Sequence, residues 1–255
     1  MTARPIFFII EGKAPRFFGP ERGPRGRQKE IGNMFEPALT VNLYDLSHTA
    51  AAPLLEKTNY PWEALGGIGT FLLELGASLP RDEYTLAAEN VWVAKSAHVF
   101  DSAYLHGPAV IGPETEVRQG AFVRGNALVG AGCVVGNSTE LKNVILFDCV
   151  QVPHFNYVGD SILGYKSHMG AGAITSNVKS DKTLVTVNTG AGRLETGLKK
   201  MGAMLGDHVE VGCNSVLNPG TVVGKNTNFY PLSMVRGFVA ANSIYKRLGE
   251  VAERR

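Results

Sequence analysis

The stretch from residue 137 to residue 177 concentrates side chains that can exchange protons or carry charge. It contains His154, whose imidazole can take up a proton near neutral pH, and Lys142, which is a fixed cation. A single histidine can equally be a hydrogen-bonded structural residue, and a lysine can belong to a solvated ladder. The elements that hold these residues therefore decide between a chemical and a structural interpretation.

A period of six residues organises the chain on both sides of this stretch. Aliphatic residues recur at Val93, Val99, Leu105, Ile111, Val117, Val123, Val129, Val135 and Leu141. The period returns from Leu205 to Val235 and slips by about one residue in between. This period is typical of an all-β solenoid of hexapeptide repeats, in which each short strand turns one aliphatic residue inward and neighbouring coils stack. An ordinary stack of alternating strands would show no fixed spacing of six residues.

The pattern divides the chain into four segments. Residues 1–33 are rich in Arg, Pro and Gly and are predicted to be a flexible basic leader, either a nucleic-acid or targeting tail or a dispensable extension, which we favour. Residues 34–88 are predicted to be a helical cap. Residues 89–238 are predicted to form the β-helix, with a loop excursion at 176–200 where the period is lost, and residues 239–255 to form a C-terminal helix.

Both helix predictions depend on apolar residues at helical spacing. Pro61 can open a helix, and the residues that follow it at this spacing are Leu65, Ile68, Leu72, Leu75 and Leu79. Such a helix could cover the open first coil, because terminal repeats of a solenoid need a cap. Ile244, Leu248 and Val251 predict the second helix.

Composition excludes several classes of protein. The chain is 44% hydrophobic and 19% charged, as in globular proteins, and no apolar run approaches the roughly 20 residues of a membrane span. Cys133, Cys149 and Cys213 are widely spaced, which argues against a disulfide scaffold and fits a cytoplasmic location. The net charge is only +2 and its basic excess lies in the leader, so we expect neither a nucleic-acid nor a membrane partner.

Three segments of the polar stretch carry a resemblance to a known family. Glu140–Asn143, His154–Asp160 and Gly170–Asn177 look like the acetyltransferase domain of the bifunctional enzyme that makes UDP-N-acetylglucosamine, in the same order and spacing. The resemblance covers roughly residues 105–225. The whole chain is also similar to short UDP-N-acetylglucosamine pyrophosphorylase-related proteins with a helical head.

The resemblance implies a role for most polar residues of the stretch. It makes His154 a general base, Arg118 and Lys142 phosphate ligands, and Tyr157 and Asn177 sugar contacts.

Further positions complete the expected site. We add Asn156 to the predicted sugar contacts because it lies between His154 and Tyr157. Ala171 matches a position whose backbone lies near acetyl-coenzyme A. His168 and Cys213 stand where the family has Asn and Ser beside the coenzyme.

These implied roles fit the chemistry of acetyl transfer. An ammonium group must lose a proton before it attacks a thioester, and a neutral imidazole can accept that proton. Backbone N–H groups at Gly-rich corners can stabilise the oxyanion, and Arg and Lys can hold a sugar phosphate. The resemblance also implies a left-handed β-helix that assembles as a homotrimer with its site between subunits. We therefore predict an acyltransferase that acts on an amino-sugar phosphate or sugar nucleotide, with acetyl-coenzyme A as co-substrate.

Three other functions were weighed against this one. Uridylyl transfer is rejected, unless a second polypeptide provides it, because residues 1–90 contain no Gly-rich strand-to-helix loop that could cradle a triphosphate. The chain would then be a pyrophosphorylase-related protein that lacks the nucleotidyltransferase domain. A zinc enzyme is disfavoured, and no metal site is expected, because no two histidines show the His-x4-His spacing of such sites. The third alternative is a non-catalytic trimer that binds a sugar nucleotide.

Overall fold

A computed structural model describes residues 34–247 and 250–253, so the expectations for residues 1–33 lie outside the described part. The described residues from Phe35 onwards belong to one compact unit. Among them, all helices precede the strands. They are the 3-10 helices Glu36–Ala38, Leu46–His48 and Pro61–Gly67 and the α-helices α1 (Thr40–Leu43), α2 (Ala52–Leu55) and α3 (Ile68–Ser78).

Short strands make up the rest of the unit. In chain order they are β1 (Tyr84–Ala88), β2 (Val91–Ala94), β3 (His98–Val99), β4 (Tyr104–Leu105), β5 (Ala109–Ile111), β6 (Glu116–Val117), β7 (Phe122–Val123), β8 (Ala127–Val129), β9 (Val134–Asn137), β10 (Glu140–Leu146), β11 (Gln151–His154), β12 (Tyr157–Leu163), β13 (His168–Met169), β14 (Ile174–Thr175), β15 (Thr186–Asn188), β16 (Arg193–Glu195), β17 (Ala203–Leu205), β18 (Glu210–Val211), β19 (Val216–Leu217), β20 (Thr221–Val223), β21 (Asn228–Phe229), β22 (Met234–Val235), β23 (Phe238–Val239), β24 (Ser243–Arg247) and β25 (Glu250–Glu253).

Parallel pairing between successive coils arranges these strands as three faces. Face 1 contains β2, β5, β8, the second halves of β10 and β12, β17, β20 and β23. Face 2 contains β3, β6, β9, β11, β13, β18, β21 and β24. Face 3 contains β4, β7, the first halves of β10 and β12, β14, β19 and β22. The predicted hexapeptide solenoid is confirmed as a parallel β-helix whose chain runs from face 1 to face 2 to face 3.

The aliphatic ladder forms the core of this β-helix. The repeat positions from Ile111 to Leu141 are all fully buried, as are Leu205, Leu217, Val223 and Val235. Each buried Val or Leu side chain stabilises the fold by roughly 1.5–3 kcal/mol, so the ladder accounts for the stacking of the coils.

The helices were predicted to cap the first coil. In the structure they lie along face 1 instead. The outward-facing residues of that face pair in register and are all apolar: Trp92, Val110, Leu128, Ile145, Ile162, Met204, Val222 and Phe238. A row of apolar side chains must be covered, and α3 packs against β5, β8 and β10. A Cβ on Gly76 of α3 would come within 2.3 Å of the Trp92 ring, so this close approach requires glycine.

The open end of the first coil is covered by a strand instead. Residues 84–88, which were predicted as part of the helical cap, form β1, and β1 pairs antiparallel with β2. The pairing satisfies one side of the terminal backbone and keeps the strand edge from other chains.

The predicted C-terminal helix is wrong. β24 extends face 2, where Tyr245 pairs with Phe229 and is only 4% exposed, and β25 folds back on it as an antiparallel hairpin. Ile244 and Val251 fit a helical stripe by spacing alone, and Leu248, the third residue of the predicted stripe, lies outside the described residues. The last coil of face 2 offers a row of unpaired backbone groups, and strand pairing with that row outweighs the helical pattern.

The predicted excursion contains a small hairpin of its own. β15 and β16 pair antiparallel between β14 and β17, with Asn188 opposite Arg193. Val185 and Val187 are fully buried, so the hairpin is docked on the β-helix rather than extended into solvent.

Candidate functional site

The slip in the six-residue period marks two consecutive coils that are one residue shorter than the eighteen-residue coil before them. On face 1 the register advances by eighteen residues from Ala109 to Ala127, but by seventeen from Ala127 to Val144 and again to Ser161. Two residues, Lys142 and Asn143, connect face 3 to face 1 in the first short coil. We call this turn and its equivalents in other coils corner 3/1.

Gly159 and Asp160 form corner 3/1 in the next coil. Asn143 and Asp160 adopt left-handed backbone conformations there, with φ of 56° and 48°. Asparagine and aspartate tolerate this conformation better than other side chains, so the tight corner selects polar residues. The shortening therefore places polar side chains close to the core.

Asp160 is the centre of the resulting cluster. Its side chain is only 5% exposed, and Lys142 Nζ donates to both carboxylate oxygens at 2.9 and 3.2 Å. Asn143 Nδ2 donates to Oδ1 at 2.9 Å, and Asn177 Nδ2 donates to Oδ2. A buried carboxylate is tolerated when cations and donors surround it in this way, so the cluster is a fully paired network.

Tyr157 lies across face 3 towards this cluster. Its hydroxyl accepts a hydrogen bond from Asn177 Nδ2 at 3.2 Å and passes so close to Gly159 that a Cβ there would be 2.5 Å away. Burial, and then the negative charges of Glu140 and Asp160, raise the pKa of the Tyr157 phenol above its ordinary value. The phenol is thus a neutral hydrogen-bonding group at physiological pH.

Arg124 is a second cation at corner 3/1, and the sequence analysis did not identify it. It follows Val123, which pairs with Leu141, so Arg124 stands one coil from Lys142 at the same position of the turn. Its Nη1 donates to Glu140 Oε1 at 2.7 Å. The only signal for Arg124 in the sequence is its place just after a repeat position, as for Lys142.

Arg118, which was predicted to join Lys142 as a phosphate ligand, lies elsewhere. It follows β6 at the turn from face 2 to face 3, which we call corner 2/3, so the width of face 3 separates it from Lys142. It donates to Glu116 Oε2 at 2.8 Å, and this hydrogen bond lowers the pKa of the Glu116 carboxyl. Within one chain, Arg118 and Lys142 do not converge on one phosphate, and Arg124 is the cation beside Lys142.

His154 also lies at corner 2/3, at the end of β11. Its side chain is exposed, and its ring makes no hydrogen bond with any described residue. Its backbone carbonyl accepts from Gly172 N at 3.0 Å, and Asn214 N donates to Ala171 O at 2.8 Å. Successive coils therefore place His154, Ala171 and the exposed Cys213 in neighbouring positions of one corner.

Asn156 has a structural position rather than an open one. It is 2% exposed, and its Nδ2 donates to Gly170 O at 2.8 Å and to Ala173 O at 3.0 Å, while its Oδ1 accepts from His154 N. Its amide is used within the corner, which leaves it no group for the predicted sugar contact in the single chain.

His168 faces outward from β13 on face 2. Its Nδ1 lies 2.8 Å from Glu210 Oε2, so it is held in an ion-paired or hydrogen-bonded arrangement one coil from β11. It lies on the same side of the β-helix as the His154 corner.

Across face 3, two distinct groups of side chains thus face each other. Corner 2/3 holds a free imidazole above small residues, and corner 3/1 holds two cations, a buried carboxylate and amide donors. Tyr157 to Gly159 span the face between them, which is roughly 10 Å at about 3.3 Å per residue. In the part of the chain that the structure describes, no three His, Cys, Asp or Glu side chains form a metal-binding group.

The fold defines a hexapeptide-repeat β-helix with a polar site on one face. Residues 105–227 match the family model described as the GMPPB C-terminal domain. This match agrees with the range of the resemblance seen in the sequence.

Two curated relatives show the same region of similarity. A "Bifunctional sugar-1-phosphate nucleotidylyltransferase/acetyltransferase" of Sulfurisphaera tokodaii is 30% identical over 167 residues, which are 58% of this chain and 42% of that protein. A "Bifunctional protein GlmU" of Methanococcus maripaludis is 37% identical over 107 residues, or 42% of this chain and 26% of that protein. The chain thus spans less than half the length of these relatives. The resemblance to bifunctional sugar-phosphate enzymes is confirmed.

A solved structure is also similar to the chain. The hexapeptide transferase family protein from Anaplasma phagocytophilum aligns with 64% of this chain and 79% of its own, at 15% identity and a TM-score of 0.36. Among residues 34–247 and 250–253, no helix has the length and apolar character needed to cross a bilayer.

Proposed function

We propose that this chain is an acetyltransferase that acts on the amine of an amino-sugar phosphate or sugar nucleotide. The observation that carries the proposal is the pairing of a free imidazole at corner 2/3 with the cation cluster at corner 3/1, across one exposed face. The name of the Sulfurisphaera tokodaii relative includes a sugar 1-phosphate and acetyl transfer, which supports the same chemistry. Acetyl-coenzyme A is the proposed donor.

The proposed reaction begins at His154. Its neutral imidazole removes a proton from the ammonium group, and the amine nitrogen attacks the thioester carbonyl carbon. A C–N bond forms and the C–S bond breaks. The imidazolium passes its proton to the leaving thiolate, and the second proton that the nitrogen loses on becoming an amide is released to water. The Ala171 N–H, which has no acceptor among the described residues, is the proposed donor to the oxyanion.

The proposed sugar site lies on face 3. Tyr157 and Asn177 contact the sugar, and Arg124 and Lys142 hold the phosphate. Each cation uses part of its donors for Glu140 or Asp160, but lysine has three donors and arginine five, so both keep donors for a ligand. The carboxylates of Glu140 and Asp160 reduce the net positive charge of corner 3/1. This favours a single phosphate group over a more highly charged polyphosphate.

A neighbouring copy of the chain is proposed to complete the site. A general base is normally oriented by a partner of its second ring nitrogen, and His154 has none within the described chain. We therefore propose a homotrimer in which the adjacent subunit covers His154 and contributes the missing acceptor. Arg118, on the same corner, is available to a ligand or to that subunit.

The test is release of free thiol from acetyl-coenzyme A with a panel of amino-sugar phosphates. His154→Asn should lower kcat by about 100- to 10,000-fold, because it removes the general base. The matched control is His98→Asn, an exposed histidine on face 2 three coils away, which should leave kcat unchanged. The same preparation should sediment with the mass of three chains. Undiminished turnover in His154→Asn would disprove the assignment of the base.

A binding protein without turnover is the second candidate. The unpartnered ring of His154 favours it, because no described residue orients that ring for proton transfer. This candidate predicts tight binding of an amino-sugar phosphate or sugar nucleotide with no thiol release from wild-type protein for any member of the panel.

A further inference from the structure

A cleft of about 600 Å³ lies between the β15–β16 hairpin and corner 3/1 of the later coils. We call it the hairpin cleft; the residues that matter to its chemistry are Lys179, Asp181, Asn188, Arg193, Asn218 and Arg236. Its volume is in the range of pockets that hold nucleotide-sized molecules. None of these six residues belongs to the proposed acetyl-transfer site, although the cleft begins beside Asn177, at Ser176 and Val178.

Positive charge is in excess in the hairpin cleft. Lys179 Nζ lies 3.6 Å from Asp181, so these two charges offset each other. Arg193 and Arg236 form no ion pair with any described residue, and both are exposed. Two uncompensated guanidinium groups therefore line one cleft, and a guanidinium binds phosphate oxygens with two parallel donors.

The hairpin holds its side of the cleft in a fixed position. Gly220 and Gly237 have φ of 80° and 75°, and a Cβ on either would lie 2.5 Å from a carbonyl oxygen of β15, that of Thr186 or of Asn188. With Val187 buried, β15 therefore lies directly on the coils. Because Asn188 pairs with Arg193, their side chains share one face of the hairpin, and both line the cleft.

Polar groups beside the arginines add donors to this cleft. Asn188 Oδ1 accepts a hydrogen bond from Gly190 N at 3.0 Å, and Asn188 Nδ2 donates to no described residue. On the opposite wall, Asn218 stands one coil from Arg236, since Leu217 pairs with Val235. The cleft thus offers the guanidinium groups of Arg193 and Arg236 and the amide of Asn188. One wall is the hairpin and the other is corner 3/1 of the later coils. A group with two linked phosphates gives each guanidinium a phosphate of its own.

We propose that the hairpin cleft binds the pyrophosphate group of a nucleotide, held between Arg193 and Arg236. The nucleotide is either a sugar nucleotide or the coenzyme of the acyl donor, and this choice rests on the proposed function. The binding of pyrophosphate itself does not rest on it, because the charge and the shape of the cleft are independent of His154.

The test is calorimetric titration of the full chain with inorganic pyrophosphate. The double variant Arg193→Gln/Arg236→Gln should bind at least tenfold more weakly than wild type, and Arg236→Lys should lose less than Arg236→Gln. Both arginines are exposed, so the thermal unfolding of the variants should match that of wild type. The matched control is Arg81→Gln, an exposed arginine outside the cleft, which should bind as wild type does.

Competition identifies the source of the pyrophosphate. Displacement by UDP but not by coenzyme A assigns the cleft to a sugar nucleotide, and the reverse assigns it to the acyl donor. No measurable pyrophosphate binding, or equal binding by the double variant, would overturn the proposal, as would failure of both nucleotides to compete. Loss of pyrophosphate binding in the double variant without acetyl transfer by wild type would retain the cleft and reject the proposed transferase. Acetyl transfer by wild type, together with pyrophosphate binding by the double variant equal to that of wild type, would retain the proposed transferase and reject the cleft.

Discussion

The two corners that border face 3 belong to the same repeat but differ in length and in the exposure of their residues. Corner 2/3 has the same length in the short coils as in the regular ones, and its tip residues, such as Gly120 and Phe155, adopt left-handed conformations and face solvent. Corner 3/1 loses one residue in two coils, which brings Asp160 into the interior. In these two coils the shortened corner holds a buried polar network, whereas the corner that keeps its length stays an open surface.

This difference predicts that stability depends much more on corner 3/1 than on corner 2/3. Asp160→Ala should lower the free energy of unfolding by about 3 kcal/mol, because it leaves Lys142 and two amides without their buried acceptor. Urea unfolding measures the change.

Asp101→Ala is the matched control, since Asp101 is an exposed carboxylate at corner 2/3 of the first coil. Its effect should stay within about 0.5 kcal/mol. Equal effects of the two variants would show that the corners do not differ as described.

A smaller effect is expected from crowding within corner 3/1. Gly159→Ala places a Cβ 2.5 Å from the Tyr157 hydroxyl and 2.9 Å from Asn177 Nδ2, so the tyrosine must move. We expect a loss of about 1–2 kcal/mol of stability and a higher KM for the acceptor in the thiol-release assay. Gly66→Ala, where a Cβ would meet no atom within 4 Å, is the control and should change neither quantity. An unchanged KM in Gly159→Ala would show that Tyr157 does not position the acceptor.

The smallest effect is expected at corner 2/3 and has the opposite sign. Phe155 is 62% exposed with φ of 52°, a conformation that is unfavourable for a bulky side chain. Phe155→Asn should therefore raise the free energy of unfolding by about 0.5–1 kcal/mol, because asparagine accepts this conformation more readily. Leu232→Asn, at the equivalent tip with φ of 61°, should behave in the same way. A loss of more than about 1 kcal/mol in Phe155→Asn would mean that the ring is packed against another surface in the assembled protein.

Sequence periodicity was sufficient for the β-helix but not for the placement of its accessory elements. The apolar spacing after Pro61 correctly predicts helix, namely the 3-10 helix Pro61–Gly67 and α3, yet the spacing cannot show which surface that helix covers. The apolar outer row of face 1 decides it, and that row becomes visible only when coils are stacked in register. The same reasoning explains the C-terminal segment, where Ile244 and Val251 fit a helix but the unpaired edge of face 2 favours a strand.

The candidate site shows the same division. The motif around His154 is visible in the sequence, but its proximity to Ala171 depends on the register in which consecutive coils stack. The separation of Arg118 from Lys142 does not follow from the sequence, since it depends on which of two corners each residue enters. Arg124, with no motif of its own, joins Lys142 only through parallel pairing of β7 with β10.

The sequence by itself determined that aliphatic residues six apart must share an interior, because burial of apolar surface is the dominant favourable term in folding and the repeat leaves few other ways to achieve it. Only the tertiary structure decided which polar residues meet. Coil length and register set those contacts over distances of a few ångströms, and a slip of one residue moves a side chain from the solvent to the core.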